Sequence, residues 1–229
     1  MPESQGQLGC RHMTDFHIFE TMRWRPATEF DPGGFDRGNA HLRRMASSAR
    51  QFGLPFDPHA IHAALDNELN GVLDEKRVRV ALYEDGKLDI DIAEATQTET
   101  GKWRLGLAET RLNTDDMWLR HKTSNRRLYE DDRMSFCGGD LPQFDELIYL
   151  NQNGELCEGT ITSLFIDVGK GILKTPALSC GLLPGILRET LLQSGEAAET
   201  VLSLDDARDA KGIFVGNSFR GLIPAELAF

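Results

Sequence analysis

Apolar and polar residues alternate most regularly in 77-RVRVALYEDGKLDIDIAE-94, where two runs flank the turn sequence EDG. This pattern predicts two strands joined in a hairpin. The segment 15-DFHIFETMRW-24 is apolar and rich in residues that favour strands, and a Pro/Gly-rich stretch follows it up to Gly38. It therefore predicts a strand followed by a turn, and 102-KWRLGLAET-110 predicts a strand that continues this first group.

Two helices are predicted between these strands. In 40-AHLRRMASSARQFG-53 apolar residues recur on one side, and Asn39 is a suitable N-cap residue. The dipeptide Asp57-Pro58 marks the start of a second helix that extends to about Leu69, because aspartate caps the first turn and proline fits its first position.

The second half of the chain combines the same two kinds of pattern. The residues 145-DELIYLNQNGELCEG-159 predict strand, turn and strand. The other predicted elements are helices at 126–137, after Pro184-Gly185 and near Leu204, a hairpin formed by 162–168 and 172–174, and a buried strand at 212–218.

The order of these elements predicts the fold class. Strands and helices segregate along the chain instead of alternating strictly, which favours an α+β fold in two lobes over a doubly wound sheet. The pattern breaks off after residue 110. We therefore predict a smaller N-terminal α/β lobe at 1–110, an interdomain linker at 111–119 and a larger C-terminal lobe at 120–229.

Composition and charge limit the possible partners. The chain has 229 residues, 40% of them hydrophobic, and a formal net charge of −11. Such a charge repels the phosphates of nucleic acids, so a nucleic-acid partner is not expected. An anionic small molecule stays possible, but it needs a local cationic pocket.

Cysteines, histidines and hydropathy indicate the compartment. The four cysteines, at positions 10, 137, 157 and 180, are scattered without a CxxC pair, which fits neither a disulfide framework nor a zinc site. Only His59 and His62 form a close histidine pair, so no metal site is predicted. The N-terminal residues lack an apolar signal core, and no apolar run has membrane-spanning length. These features predict a protein of the reducing cytoplasm without membrane contact.

The segment 120-RHKTSNRRLYEDD-132 gathers cations around one lysine, Lys122. One interpretation is a solvated face at the start of a helix. The other is an amine placed for an anionic partner. A lysine that reacts covalently must lose its proton, and neighbouring cations such as Arg126 favour that loss.

Two further segments carry candidate chemistry. Glu158, in 154-GELCEGTITSLF-165, is predicted at a strand end, either buried beside a cation or a hydrogen-bond donor, or on the rim facing water. In 179-SCGLLPGILRETLL-192 a glycine-containing turn precedes a helix, so the amides of Ile186 and Leu187 are either an anion site or an ordinary helix start.

These segments, taken in order, resemble a known family. The sequences FETMRW, HLRRMASSARQFGLPFD, RHKTSNRRLYEDD, NQNGELCEGTITSLF, SCGLLPGILR and VGNSFRGLIPAEL are similar to class IV aminotransferases. These are pyridoxal 5'-phosphate (PLP) enzymes with the two-lobed D-amino-acid aminotransferase-like fold, fold type IV. The motifs HKTxNRxxY and VGNSxRGLIPA are most similar to the aminodeoxychorismate lyases, particularly the form fused to aminodeoxychorismate synthase. The resemblance extends from about Phe16 over nearly the whole chain.

The resemblance implies roles for individual residues. Lys122 matches the lysine that forms a Schiff base with PLP, and Glu158 matches the carboxylate at the pyridine nitrogen. Arg44 matches the arginine that binds the cofactor phosphate. The remaining implied phosphate contacts are the backbone amides of Ile186 and Leu187 and the side chains of Asn217 and Ser218.

The resemblance also implies a substrate and a reaction. Elimination of pyruvate from 4-amino-4-deoxychorismate would give 4-aminobenzoate for folate synthesis. A small anionic amine of this kind could contact Arg126 and Tyr129, with Arg23 or Arg220 as helpers. The alternatives are an aminotransferase for D- or branched-chain amino acids and a non-catalytic relative. The resemblance further implies a homodimer and a functional link to aminodeoxychorismate synthase.

The chain departs from the family pattern at two places. Ser163 stands where relatives usually have asparagine in the EGTxxN sequence, so any contact made by that amide is shortened. The chain also begins almost directly at FETMRW, without the opening strand pair that is common in free-standing members.

Overall fold

A computed structural model of the chain describes residues 16–95, 101–139 and 142–229. Its first sheet is antiparallel, with the strand order β2-β1-β3-β4. These strands are β1 (His17–Arg25), β2 (Gly34–Phe35), β3 (Lys76–Tyr83) and β4 (Leu88–Glu94). The hairpin predicted from the alternating pattern is therefore confirmed.

Two helices, α1 (Gly38–Phe52) and α2 (Pro58–Glu68), form one hydrophobic core with this sheet. Asp57 caps α2 as predicted, because its side chain accepts hydrogen bonds from two first-turn amides. The prediction of Asn39 as the N-cap of α1 is wrong. Arg37 holds that position in the left-handed conformation (φ 56°), and the helix begins at Gly38, where a Cβ atom would come within 2.9 Å of the Phe35 side chain.

The second sheet has eight strands in the order β10-β9-β8-β11-β12-β5-β6-β7. β7 also pairs with β8, so six of the strands close into a barrel-like ring around an apolar core. The strands are β5 (Trp103–Leu112), β6 (Glu146–Asn151), β7 (Leu156–Gly159), β8 (Ser163–Asp167), β9 (Leu173–Pro176), β10 (Ala197–Thr200), β11 (Gly212–Asn217) and β12 (Gly221–Leu227). The helices of this half are α3 (Arg127–Phe136), α4 (Ile186–Gln193) and α5 (Leu204–Arg208).

The position of β5 differs from the prediction. The sequence placed it with the first group of strands, but it pairs in parallel with β12 and β6 of the second sheet. The sheets therefore divide between β4 and β5, before the predicted linker, whereas the domain boundaries themselves stay a prediction. Strands β2, β10 and β12 were not predicted. Within the described ranges, no helix is long and apolar enough to cross a membrane.

A short segment that follows β5 of the second sheet returns to contact β1 of the first sheet. After a 3-10 turn at Met117–Arg120, residues 122–124 lie along β1: the Phe19 amide donates to the Lys122 carbonyl (3.0 Å) and the Ser124 amide to the His17 carbonyl (2.8 Å). This edge of β1 is available because β2 pairs only with the other end of the strand. The backbone of Lys122 is thus fixed at the junction of the sheets.

Candidate functional site

A cavity of about 710 Å³ lies at this junction, between β1 and β3 on one side and β7, β8 and the β11–β12 turn on the other. Among the described residues on its wall, cationic side chains outnumber carboxylates nine to three. The cations are Arg44, Arg77, Arg79, Arg111, Lys122, Arg126, Arg127, Arg133 and Arg220, and the acids are Asp116, Glu130 and Glu158. The wall is therefore cationic in a chain whose net charge is −11.

Lys122 reaches this cavity with its amine 4.6 Å from the centre of the Phe19 ring. Burial, and then the charges of Arg126 and Arg44, lower the pKa of Lys122 to about 7, although Glu20 and Glu158 oppose this shift. Near neutral pH a large fraction of the amine is therefore unprotonated and able to act as a nucleophile or a base.

The cations near Lys122 in sequence point in different directions. Arg126 lines the cavity, where its guanidinium donates to the Thr160 carbonyl (2.5 Å). Arg127 touches the rim, but its side chain is 90% exposed and pairs with Asp131. The Nδ1 atom of His121 lies 2.9 Å from the hydroxyl of Ser48 in α1. Lys122 and Arg126 therefore belong to a pocket and Arg127 to a solvated helix start, whereas the anionic partner of the amine stays a prediction.

Glu158 occupies the end of β7 and is 7% exposed. The Tyr129 hydroxyl donates to Oε1 (2.9 Å) and the Leu183 amide donates to Oε2 (3.2 Å). Burial raises the pKa of Glu158 to about 7, against the opposing effects of these two hydrogen bonds and of Arg126 and Lys122. Of the two predicted environments, the buried carboxylate is therefore the observed one.

Arg44 projects from α1 and is held by a carboxylate that the sequence analysis missed. Its Nε and one terminal nitrogen donate to the two oxygens of Glu20 (2.7 and 2.6 Å), while the other terminal nitrogen donates to the Pro184 carbonyl (3.1 Å). Burial alone would raise the pKa of Glu20, but Arg44 and His41 outweigh it and lower the pKa to about 2. The guanidinium is thus fixed in direction at the cavity wall.

Glu20 also connects to the opposite wall through His41. The His41 Nδ1–H donates to Glu20 (2.7 Å), and its Nε2 atom lies 2.9 Å from the Ser218 hydroxyl. A sequence signal for Glu20 was present: it shares the inward face of β1 with Ile18 and Met22, and a carboxylate among buried apolar residues needs partners.

The start of α4 borders the same part of the cavity: of the described residues, Gly185 and Ile186 are on the cavity wall, whereas Leu187 is not. Ile186 and Leu187 are its first two residues, and amides at these positions have no acceptor within a helix. Gly185, which precedes them, approaches Ser163 so closely that a Cβ atom would lie 2.4 Å from its hydroxyl. The short Ser163 side chain therefore lies directly behind this helix start.

The β11–β12 turn supplies the remaining predicted residues. Asn217 shapes this turn, because its Oδ1 accepts from the amides of Phe219 and Arg220 and its Nδ2 donates to the Ile161 carbonyl (3.1 Å). Arg220 lines the cavity and lies 5.6 Å from the Trp103 ring.

Arg23, on β1, is not part of the cavity wall formed by the described residues. Its guanidinium instead donates to the Phe219 carbonyl and to Glu75.

A second missed carboxylate, Glu146, organises the loop that follows Glu158. It is fully buried and accepts hydrogen bonds from the amides of Thr160 and Ile161 and from the hydroxyls of Thr160 and Thr162. Because the amides turn toward Glu146, the loop carbonyls point the other way, where Arg126 and Asn217 bind them. Glu146 therefore shapes one wall of the cavity without lining it.

Comparison with known proteins gives the family. The sequence profile described as amino-transferase class IV matches residues 17–227. The chain belongs to the class IV aminotransferase family. Members of this family are PLP-dependent enzymes, so the chain is an enzyme and its cofactor is PLP. The predicted family, α+β fold and cofactor are confirmed.

Individual relatives cover most of the chain. A proposed amino-acid aminotransferase from Mesorhizobium loti is 44% identical in sequence to this chain. Its crystal structure matches this fold with a TM-score of 0.86, over 93% of this chain and 100% of that one. A proposed aminodeoxychorismate lyase of Schizosaccharomyces pombe is 26% identical over 79% of both chains. The branched-chain amino acid aminotransferase of Thermobaculum terrenum in its PLP form is 21% identical, with a TM-score of 0.77 over 92% of this chain and 76% of that one.

The observed donor set fits PLP. Arg44 and the free amides of α4 suit an anionic phosphate, and the space at Gly185 admits no side chain. Lys122 offers an amine of lowered pKa for the cofactor aldehyde, while Glu158 presents a carboxylate close enough for the two groups to affect each other's pKa. Within the described part of the chain, no group of three His, Cys, Asp or Glu residues could hold a metal ion.

Proposed function

We propose that this protein is a 4-amino-4-deoxychorismate lyase, which releases pyruvate and forms 4-aminobenzoate for folate synthesis. Substrate and products balance without water, an oxidant or a second substrate, because the carbon–oxygen bond to the enolpyruvyl group breaks and the ring becomes aromatic. A class IV aminotransferase for D- or branched-chain amino acids is the second candidate. The 44% identity to the Mesorhizobium protein, a proposed amino-acid aminotransferase, favours the aminotransferase reaction without naming a substrate.

The observation that carries the proposal is the distribution of cations around Lys122. Arg79 of β3 lies 4.3 Å from the Phe19 ring, and Arg126 lies 6.0 Å from it, so both adjoin the ring that Lys122 also contacts. Arg220 adds a cationic position on the turn of the other sheet. Two separate cationic positions, one at Arg79 and Arg126 and one at Arg220, suit an amine that carries two carboxylates, and Tyr129 lines the same cavity.

Lys122 and Glu158 would perform the chemical work. PLP, when bound, supplies an electron sink that stabilises negative charge at the carbon next to the substrate amine. Lys122 would bind the cofactor covalently and, once released, take the proton from the ring carbon beside that amine. Glu158 would hold a proton at the pyridine nitrogen by presenting a carboxylate to it.

The phosphate would be held by residues of α1, of the start of α4 and of the β11–β12 turn. We assign its contacts to the Arg44 guanidinium, the amides of Ile186 and Leu187 and the Ser218 hydroxyl, with Asn217 holding the turn that carries Ser218. Arg23 is left out of the proposed substrate site, because its contacts keep it behind the turn.

Adjacent arginines allow a matched test of the phosphate site. We expect Arg44→Gln to weaken PLP binding by about 10- to 100-fold, the loss of one charge-assisted contact. Arg43→Gln is the control, because the Arg43 side chain is 64% exposed and pairs with Glu189 outside the cavity. Equilibrium dialysis with PLP measures both. Equal affinities of the two variants would contradict the assignment of Arg44.

The lowered pKa of Lys122 predicts a pH dependence of PLP capture. Only the neutral amine attacks an aldehyde, so the initial capture rate should rise with pH and level off above about 7, instead of rising toward the ordinary lysine value of 10.5. Stopped-flow absorbance from pH 6 to 9 measures the midpoint. Arg126→Met should move it upward, because a cation that opposes protonation is removed.

A single assay separates lyase from aminotransferase. Pure PLP-loaded protein is incubated with 4-amino-4-deoxychorismate and no keto acid. Pyruvate and 4-aminobenzoate in equal amounts support the lyase. Turnover only after a keto-acid acceptor is added, with an amino acid as product, would refute the lyase and favour the aminotransferase.

The cellular setting is part of the same proposal. We propose a homodimer in the cytoplasm that receives its substrate from an aminodeoxychorismate synthase. Light scattering gives the mass in solution, for which two chains of 25.6 kDa are expected. A monomeric, fully active enzyme would contradict the dimer.

A further inference from the structure

Tyr129 makes a contact with Glu158 that the family resemblance did not imply. Its ring lies at the edge of the Tyr149 ring (5.0 Å between centres), and its hydroxyl donates to Glu158 Oε1 at 2.9 Å. The Leu183 amide donates to the other oxygen at 3.2 Å. The carboxylate therefore has one fixed donor on each oxygen, from α3 and from the turn before α4, and a remaining lone pair on each for a ligand.

We propose that Tyr129 is a positioning residue that keeps the Glu158 carboxylate ionised and directed into the cavity. This inference rests on the proposed role of Glu158 as the partner of the cofactor nitrogen. It replaces the expectation that the Tyr129 hydroxyl contacts substrate or cofactor, because that hydroxyl is already used on the carboxylate.

The charge balance around Glu158 explains why a donor is needed there. Glu158 is almost fully buried, and burial favours its neutral form, which could not hold a proton at a pyridine nitrogen. The groups that favour the charged form are Tyr129, the Leu183 amide, Arg126 and Lys122. Because the pKa of Lys122 is lowered to about 7, its amine is only partly protonated at neutral pH and contributes less than a permanent cation would.

The hydroxyl of Tyr129 is a dependable donor at every working pH. Burial, and then the neighbouring Glu158 charge, raise the pKa of Tyr129 above its ordinary value of 10.0. It therefore keeps its proton while Glu158 titrates near neutrality. Tyr129 therefore stabilises the ionised carboxylate without becoming negatively charged itself.

The test uses two tyrosines of the same aromatic pair. Tyr129→Phe removes the hydrogen bond to Glu158, whereas Tyr149→Phe removes an equivalent bond from Tyr149 to Asp132 (2.7 Å) and leaves Glu158 untouched. The carboxyl resonance of Glu158 is followed by NMR in the full-length, PLP-free chain labelled with carbon-13 glutamate, and Glu158→Gln assigns it. We expect Tyr129→Phe to shift the titration midpoint upward by about 1 pH unit and Tyr149→Phe to leave it unchanged. An unchanged midpoint in Tyr129→Phe would overturn the proposal.

A second readout on the loaded enzyme distinguishes positioning from a purely structural role. Tyr129→Phe should weaken PLP binding about tenfold in the natural background but less than about twofold in a Glu158→Gln background, because the two residues act through one contact. Equal losses in both backgrounds would also overturn the proposal. Neither measurement involves a substrate, so the result is independent of whether the enzyme is a lyase or an aminotransferase.

Discussion

Replacement of Lys122 with alanine is expected to leave less than about a thousandth of the catalytic activity, measured as 4-aminobenzoate release or as amino transfer. The variant lacks both the covalent attachment of the cofactor and the base that moves the proton, and a positioned base alone accounts for about 10²- to 10⁴-fold. The expected loss is the same for either reaction, because both require the proton at the carbon beside the amine to be removed.

The control for this variant is Lys102→Ala. Lys102 has a side chain that is 65% exposed and lies 4.0 Å from Glu226 on the surface, so its loss should leave activity within about twofold. Activity in Lys122→Ala above about a tenth of the original rate would contradict the assigned role. A normal unfolding curve for the variant is needed to attribute the loss to chemistry.

The second large effect concerns stability. Glu146→Gln should lower the free energy of unfolding by about 2–4 kcal/mol, because an amide group replaces one acceptor oxygen among donors that stay buried. Those donors come from Thr160, Ile161 and Thr162, and Arg133 lies 3.5 Å from the same carboxylate. Urea unfolding measures the change.

Glu226→Gln is the matched control for Glu146. The Glu226 side chain is 57% exposed, so its substitution should change the free energy of unfolding by less than about 0.5 kcal/mol. If Glu146→Gln were as harmless as this control, the network under the 159–162 loop would not stabilise the fold. Glu146→Gln should also weaken PLP binding, because the 159–162 loop that Glu146 binds lies directly after Glu158.

Local elements could be predicted from the sequence because their signals are local. The alternating run that forms β3 and β4 and the Asp57-Pro58 start of α2 depend on residues within one turn or one strand. The sheet to which β5 belongs could not be predicted in this way. Its parallel partners, β12 and β6, lie far away along the chain, and no pattern inside β5 identifies them.

The residues of the candidate site also differ in whether the sequence alone could identify them. Its candidate amine and carboxylate, Lys122 and Glu158, were found because their motifs resemble a family. Glu20 and Glu146 were missed, although Glu20 shares one face of β1 with apolar residues and Glu146 begins the apolar run of β6, which already indicates buried carboxylates that need partners. The fixed contacts of Arg23 and Asn217 could not be predicted, because they depend on the packing of the β11–β12 turn against distant residues.

Chemical trapping of the cofactor tests the central proposal most directly. Protein loaded with PLP is reduced with borohydride, digested, and mapped by mass spectrometry for the lysine that keeps the pyridoxyl group. The account predicts that this group is found on the peptide containing residue 122, together with loss of the visible absorbance band. Modification of a different lysine, or of none, would contradict it.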